Sequence, residues 1–329
     1  MKRFKYNFVY TILFSLSIIS CSKVIEVKID PIRQKLVNGS SVKLNAMVKV
    51  NDEIDTSLIW SILDPTVEGT SISKHGLLTI STNEKANSIR VKVFSLLDTS
   101  KSAILNLNIS KLNSGLVGYW PFNGNANDES GNNNNGIVHG PTLTTDRFGN
   151  SNKAYDFNLN HITIPGEKFD FSNELSVNVW YKISSKTHSG TESMFFVSKH
   201  TNSSLKGSSF CLYNNSNCGP VVYVTQANSL VKTVKNVSFC DTSNWHMLTM
   251  VVSGNELKMY LDASYYSKTD LNSPIQKSNV PLIFGGASVL SNQNITIPRM
   301  IGKLDDIAIW NRKLTQEEIS DLYNSSVLF

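Results

Sequence analysis

Apolar and polar residues take turns along most of this chain, and the period is two. The first such segment is Val24-Ile25-Glu26-Val27-Lys28-Ile29, followed by Val42 to Val50, Leu58 to Ile62, Leu77 to Ile80, Ile89 to Phe94 and Ala103 to Ile109. Side chains of a strand point alternately to its two faces, so each segment predicts a half-buried strand. Polar turns between them predict a small antiparallel sandwich over residues 22–111. The texture changes at Leu112-Asn113-Ser114-Gly115, where Asn, Asp and Gly become dense through Gly136 and predict tight turns. Alternation returns in Glu174 to Lys182, Trp245 to Val252 and Leu257 to Asp262, marking a second all-β region over residues 115–325. Only Thr315 to Tyr323 reads as a helix. Thr315 stands as N-cap with Glu318 three residues on, a capping box ahead of Ile319 and Leu322.

The words in these segments carry two resemblances. "VKLNAMVKV", "IWSILDPTV" with Trp60, and "SISKHGLLTIS" with Gly76 resemble bacterial Ig-like (Big) domains. That implies an Ig-like β-sandwich acting as a stalk, with Trp60 plugging its core. "LVGYWPFNGNANDESGNNNNGIVHGPTLTTDRFGNSNKAYDF", "LSVNVWYK", "NWHMLTMVVSGNELKMYLDA" and "IGKLDDIAIWNRKLTQEEISDLY" resemble LamG-like jellyroll domains of the concanavalin A-like lectin/glucanase superfamily. They occur in order across some 200 residues. This resemblance implies two curved antiparallel sheets stacked face to face, with a concave face and a rim of loops. The chain departs from the family's words at Asp262-Ala263, where Asp-Gly is usual, and in the Ser/Asn-rich stretch Thr187 to Gly219.

The N-terminus adds an address. Lys2, Arg3 and Lys5 precede the apolar run Phe8 to Ile19, which is too short for a comfortable span and predicts a secretory signal. The run ends Ile18-Ile19-Ser20-Cys21, which resembles the lipobox of bacterial lipoproteins. Cleavage before Cys21 and its lipidation follow from that resemblance; a plain secretory signal with an incidental cysteine is the alternative. Acyl chains at about 0.8 kcal/mol per buried methylene would hold the chain in a bilayer. Ser22 is not the aspartate that retains some lipoproteins at the inner membrane. The expected location is therefore the cell envelope at the outer membrane, its surface or periplasmic face open. Export also places Cys211, Cys218 and Cys240 in an oxidising setting. Cys211 and Cys218 could bridge across a hairpin loop, or either could reach Cys240.

Charge changes little: the 329 residues carry a net charge of +5, with no long basic run after the N-terminus, and nucleic acid is excluded as a partner. Catalytic patterns are missing. His75, His139, His161, His188, His200 and His246 form no HExxH, and no G-x-S-x-G or phosphate loop occurs. Ser71-Ile72-Ser73-Lys74 matches S-x-x-K without companion motifs. Glucanases of the superfamily carry Glu-x-Asp-x-(x)-Glu on one strand. Here Ser176, Asn178, Trp180 and Lys182 stand in that place, and the near-match Glu53-Ile54-Asp55 lies in the other domain. The expectation is a protein that binds and is not an enzyme.

Two sites are candidates. Leu175, Val177, Val179, Tyr181 and Ile183 should fill the core, leaving Asn178, Trp180 and Lys182 on the opposite face. Trp180 is either an aromatic plate for a sugar or a residue packed under a covering loop. A Ca²⁺ ion could be held by Asn123, Asn125 and Asp128 with Asp305 and Asp306, since the resemblance places the first and last strands side by side. Alternatively Asp128 and the Asn run cap turns, while Asp305 or Asp306 holds the loop by hydrogen bonds. The function expected is a membrane-anchored recognition lipoprotein, carbohydrate-binding or adhesive, with a glycan or an envelope or extracellular protein as partner. The alternative is a non-catalytic structural or protein-interaction module of the envelope.

Overall fold

The structure is a computed structural model and describes residues 24–32, 36–50, 53–55, 57–165, 168–184, 193–201, 208–216, 219–236, 239–289, 292–298 and 300–324. Cys21 and the signal segment lie outside these residues, as do Cys218 and parts of the Thr187–Gly219 stretch. The chain divides into two compact units, Met1–Ile109 and Ser110–Phe329. Both are built from strands, and the one helix among the described residues is Gln316–Asn324.

In the first unit the strands Leu36–Val37, Ser102–Ser110, Ser88–Ser95 and Leu58–Ile62 form one sheet in that order. Val24–Ile29, Ala46–Val50 and Glu53–Asp55 form a second, and Ser41–Lys43, Leu77–Thr79 and Ser71–Ile72 a third. Alternation places Leu78, Ile80, Ile89, Val91, Leu107 and Ile109 in one core. Trp60 packs partly buried against that core and against the smaller cluster of Val27, Val48 and Val93. Gly76 supplies the turn beneath the indole. Its φ is +77°, and a Cβ there would stand 2.7 Å from the Leu44 carbonyl oxygen and 3.0 Å from the Trp60 ring. Only glycine meets both conditions.

The second unit is a sandwich whose two sheets share one strand. The front sheet runs Ser264–Asp270, Glu256–Leu261, His246–Ser253, Glu174–Ile183, Met300–Trp310 and then Ala154–Ile164. The back sheet continues from Ala154–Ile164 through Leu282–Phe284, Met194–Lys199, Phe210–Asn214 and Pro220–Thr225 to Val231–Lys235. Tyr155 to Asn160 pair with Met300–Leu304, whereas Ile162 to Ile164 pair with Leu282–Phe284. Between them the register shifts, and Leu159 adopts a φ of +53°. This bulge bends the strand from one sheet into the other.

Inner-face residues of both sheets meet in one large core. Leu175, Val177 and Val179 come from the front; Phe196, Leu212 and Val222 come from the back. Full burial of such a side chain contributes about 1.5–3 kcal/mol. Leu116–Trp120 joins the front sheet beside Ile307 to Trp310, so the start and end of the unit are neighbours. The helix has the expected cap. Thr315 Oγ1 accepts from the Glu318 N–H at 3.2 Å, and Glu318 Oε2 accepts from the Thr315 N–H at 2.9 Å.

The cysteines need a correction. Cys211 is a free, fully buried thiol, so it bridges neither Cys218 nor Cys240. It faces Phe195, Tyr223 and Ala287 in a small cluster on the back sheet, where it packs as an apolar side chain. Cys240 is disulfide-bonded.

Candidate functional site

Adjacent residues of a regular strand point to opposite faces, yet Asp305 and Asp306 both reach the same nitrogen. Arg147 Nη1 donates to Asp305 Oδ2 at 2.9 Å and to Asp306 Oδ2 at 2.5 Å. A bulge makes this possible. Against Glu174–Ile183 the register steps from Asn178 opposite Ala308 to Trp180 opposite Asp305, and Asp306 takes a φ of +42°. Left-handed backbone at a non-glycine residue costs on the order of 1–3 kcal/mol. Its partners hold it there: the Tyr119 hydroxyl donates to Asp306 Oδ1 at 2.8 Å, and the Asp306 N–H donates to Asp305 Oδ1 at 2.8 Å.

Burial first, and then the neighbouring Asp306 charge, push Asp305 up to about 8 against the pull of Arg147. Burial likewise raises Asp306, again against Arg147, and burial followed by the Asp306 charge raises Tyr119 well above the usual phenol range. Two buried carboxyls beside one guanidinium titrate as a unit.

This triad floors a cleft of about 320 Å³ lined by Tyr119, Pro121, Asn123, Asp146, Phe148, Asn150 and Lys153 among others. One wall is the turn Asp146 to Asn150. Asp146 Oδ1 accepts from the N–H groups of Phe148 and Asn150, both at 2.8 Å, and Gly149 takes a φ of +87°. The turn leaves Phe148, which lines the cleft, 52 % exposed. Arg147 lies between two rings, with its guanidinium carbon 4.4 Å from the Phe148 centroid and 4.5 Å from that of Trp180. On the other side Asn123 Oδ1 accepts from Lys153 Nζ at 2.9 Å. An exposed ring among amides and an ammonium group can stack on a flat apolar surface and hydrogen-bond its edges.

Asn178, Trp180 and Lys182 lie on the face opposite the sandwich core, where the alternation puts them, but that face is not open. Trp180 is 7 % exposed and joins Tyr119, Met247, Val251, Tyr260 and Trp310 in a second core under the helix residues Ile319 and Leu322. Its indole stacks on Tyr323 of the helix, 5.4 Å between centroids at 16°. Asn178 is 1 % exposed, accepts from the Thr249 hydroxyl at 2.7 Å, and donates to the Asp306 carbonyl at 3.5 Å. Lys182 is half-buried opposite Lys303 in register. The three therefore offer no plate to a sugar, because the covering segment is the C-terminal helix.

The five residues expected around Ca²⁺ are not brought together. Asp128 is buried and spent on its own turn: Oδ1 accepts from the N–H groups of Tyr119 and Ser130, and Oδ2 from that of Asn134, each at 2.9 Å. Asn125 Oδ1 accepts from the Asn127 N–H at 2.8 Å. Asn123 lines the cleft with Asp305 and Asp306, but there the Arg147 guanidinium already supplies the positive charge. These residues do not fit a calcium shell, which needs six to eight converging oxygens. Among the described residues no group of three or more His, Cys, Asp or Glu side chains is placed to hold a metal.

Arg147, Phe148 and Tyr119 are the residues that sequence reasoning missed. Two signals pointed to them: Asp-Arg-Phe-Gly-Asn is a turn word, and two consecutive acids in an apolar strand require a cation.

The comparisons agree with this architecture. The binding domain of Paraclostridial Mosquitocidal Protein 1 superposes with a TM-score of 0.51 at 18 % identity, covering 65 % of this chain and 53 % of that one. The receptor binding domain of botulinum neurotoxin C/D mosaic serotype gives 0.51 at 15 %, covering 66 % and 52 %. The ligand binding domain of botulinum neurotoxin serotype D, in complex with N-acetylneuraminic acid, gives 0.50 at 16 %, covering 66 % and 52 %. The chain thus spans about half the length of these structures, and at such identities the likeness is one of fold. No curated protein matches the chain. The model of a laminin G family, described as the concanavalin A-like lectin/glucanases superfamily, matches residues 157–320. Residues 157–320 thus resemble a concanavalin A-like lectin/glucanase domain of the laminin G type, and the sandwich with its shared strand has that architecture.

Proposed function

We propose that the chain is a recognition lipoprotein of the cell envelope, and that its second unit binds glycans without cleaving them. The binding site in this reading is the cleft between the Asp146–Asn150 turn and Asn123. The observation that carries it is the exposed Phe148, set beside Asn123, Asn150 and Lys153 over an ion-paired floor. Sugars present apolar faces and hydroxyl edges, and this pairing of groups answers both. Hydrolysis of a glycosidic bond needs two carboxyls on either side of the bond. Asp305 and Asp306 instead share one guanidinium nitrogen and lie almost wholly buried. That fold neighbours include receptor binding domains and a complex with N-acetylneuraminic acid supports a binding role. The first unit, in this reading, is a stalk, and acylated Cys21 is the anchor in the outer membrane.

A glycan array probed with the full chain tests the proposal. Binding that falls in Phe148→Ala and persists in Trp180→Phe is expected. A blank array, together with capture of a protein partner through the same cleft, would replace the glycan by a protein. Loss of the membrane fraction in Cys21→Ala tests the anchor, and protease shaving of intact cells reads the exposed face.

A further inference from the structure

We propose that His139 and His161 form a two-imidazole site for a divalent transition-metal ion of the Cu²⁺, Ni²⁺ or Zn²⁺ type. The site lies outside the cleft lining and does not depend on the glycan reading. The strand Ile137–His139 pairs antiparallel with the second half of Ala154–Ile164, and the register sets His139 directly opposite His161. Directly opposed residues share a face, with Cβ atoms about 4.5–5.5 Å apart. The two rings accordingly stack, 4.5 Å between centroids at 19°. That spacing lets both side chains turn a nitrogen toward one ion with only side-chain torsions changing.

Two further observations favour a metal. Ile137, Val138 and His139 are all exposed, so an ion reaches the pair from solvent. Gly140 follows with a φ of +101°, and a Cβ there would stand 3.1 Å from the Asn160 side chain, which fixes where the short strand ends. Imidazole selects borderline ions over Ca²⁺ and Mg²⁺, which want oxygen. With two protein nitrogens, the remaining positions take water or a donor from a bound molecule.

Calorimetric titration of the full chain with Zn²⁺ and separately with Ni²⁺ tests the site, with Ca²⁺ as the control ion. Saturable binding of one ion is expected, weakened at least about tenfold in both His139→Ala and His161→Gln, since even partners outside a ligand shell cost about 10–100-fold. His75→Ala should bind like the unaltered chain. Thermal melts of the two variants without metal, close to that of the unaltered chain, show that the fold is intact. Affinity unchanged in either variant, or equal heats with Ca²⁺, would overturn the proposal.

Discussion

The guanidinium of Arg147 rests on the indole of Trp180, 4.5 Å from its centroid, and this one contact joins the floor of the cleft to the core beneath the helix. Trp180 sits opposite Asp305 in the strand register, so the bulge that turns both acids toward Arg147 also brings the cation over the ring. The cleft and the helix-covered face are therefore built on the same short stretch of the front sheet.

Trp180→Ala removes a ring that packs with Tyr119, Met247, Trp310 and the helix, stacks on Tyr323 and carries Arg147. Truncating a buried tryptophan costs about 3–5 kcal/mol. Urea unfolding should show a loss of that size, with Trp180→Phe well below it. A loss under about 1 kcal/mol in Trp180→Ala would mean that the ring is not a core residue.

Much of this architecture was legible from alternation alone. Leu175, Val177, Val179, Tyr181 and Ile183 all line the sandwich core, as their period of two requires. The capping box fixed the start of the helix for a local reason, since its two hydrogen bonds lie within four residues. What covers Trp180 was not legible: the helix meets that strand across more than 130 residues of sequence, and a period of two cannot tell solvent from a second core. The acidic pair misled for a related reason. Its ligand-like spacing is real, but the bulge at Asp306 and the approach of Arg147 are tertiary facts. Asp128 resembled a metal ligand because turn-capping and metal-binding carboxylates share one vocabulary of Asn, Asp and Gly.

Thr315→Ala tests whether the helix holds its place by its cap. The hydroxyl accepts from the Glu318 N–H, while Glu318 also pairs with Arg312 at 2.7 Å. Loss of an N-cap costs about 0.5–2 kcal/mol. The melting temperature should fall accordingly, and hydrogen exchange at Ile319 and Leu322 should quicken. Unchanged exchange there would show that packing on Trp180 suffices without the cap.

The acidic pair predicts a slope with pH. Asp305 titrates at about 8 in the folded chain because burial and Asp306 oppose its charge, against a usual value near 3.8. Between those values the folded state holds more protons than the unfolded one, so stability falls as pH rises. The contribution is complete below about pH 4 and is lost as pH passes through about 8. Asp305→Asn supplies the neutral form permanently. Melting temperatures taken from pH 5 to 9 should decline less steeply in this variant than in the unaltered chain, and parallel curves would refute the raised Asp305 carboxyl.

His246 should add a second slope that Asp305→Asn leaves in place. Its Nδ1 lies 2.8 Å from Asp262 Oδ2 and its Nε2 3.1 Å from Asp241 Oδ2, so the imidazolium can donate to an acid on each side. Burial works against the charge, but the hydrogen bonds and charges of Asp262 and Asp241 outweigh it and raise the group above its usual 6.5. The sign follows: the clamp contributes fully below pH 6.5 and is lost as pH rises through the higher folded value. Asp241 is itself held far below the ordinary carboxylate range by Asn244, Ser243 and His246, so the clamp also persists well into acid. His246→Gln keeps a donor without a titrating charge. The difference in melting temperature between it and the unaltered chain should therefore be large at pH 5.5 and shrink by pH 8.5. A ring-proton titration placing His246 below 6.5, or a difference that grows with pH, would show that burial and not the two aspartates governs this side chain.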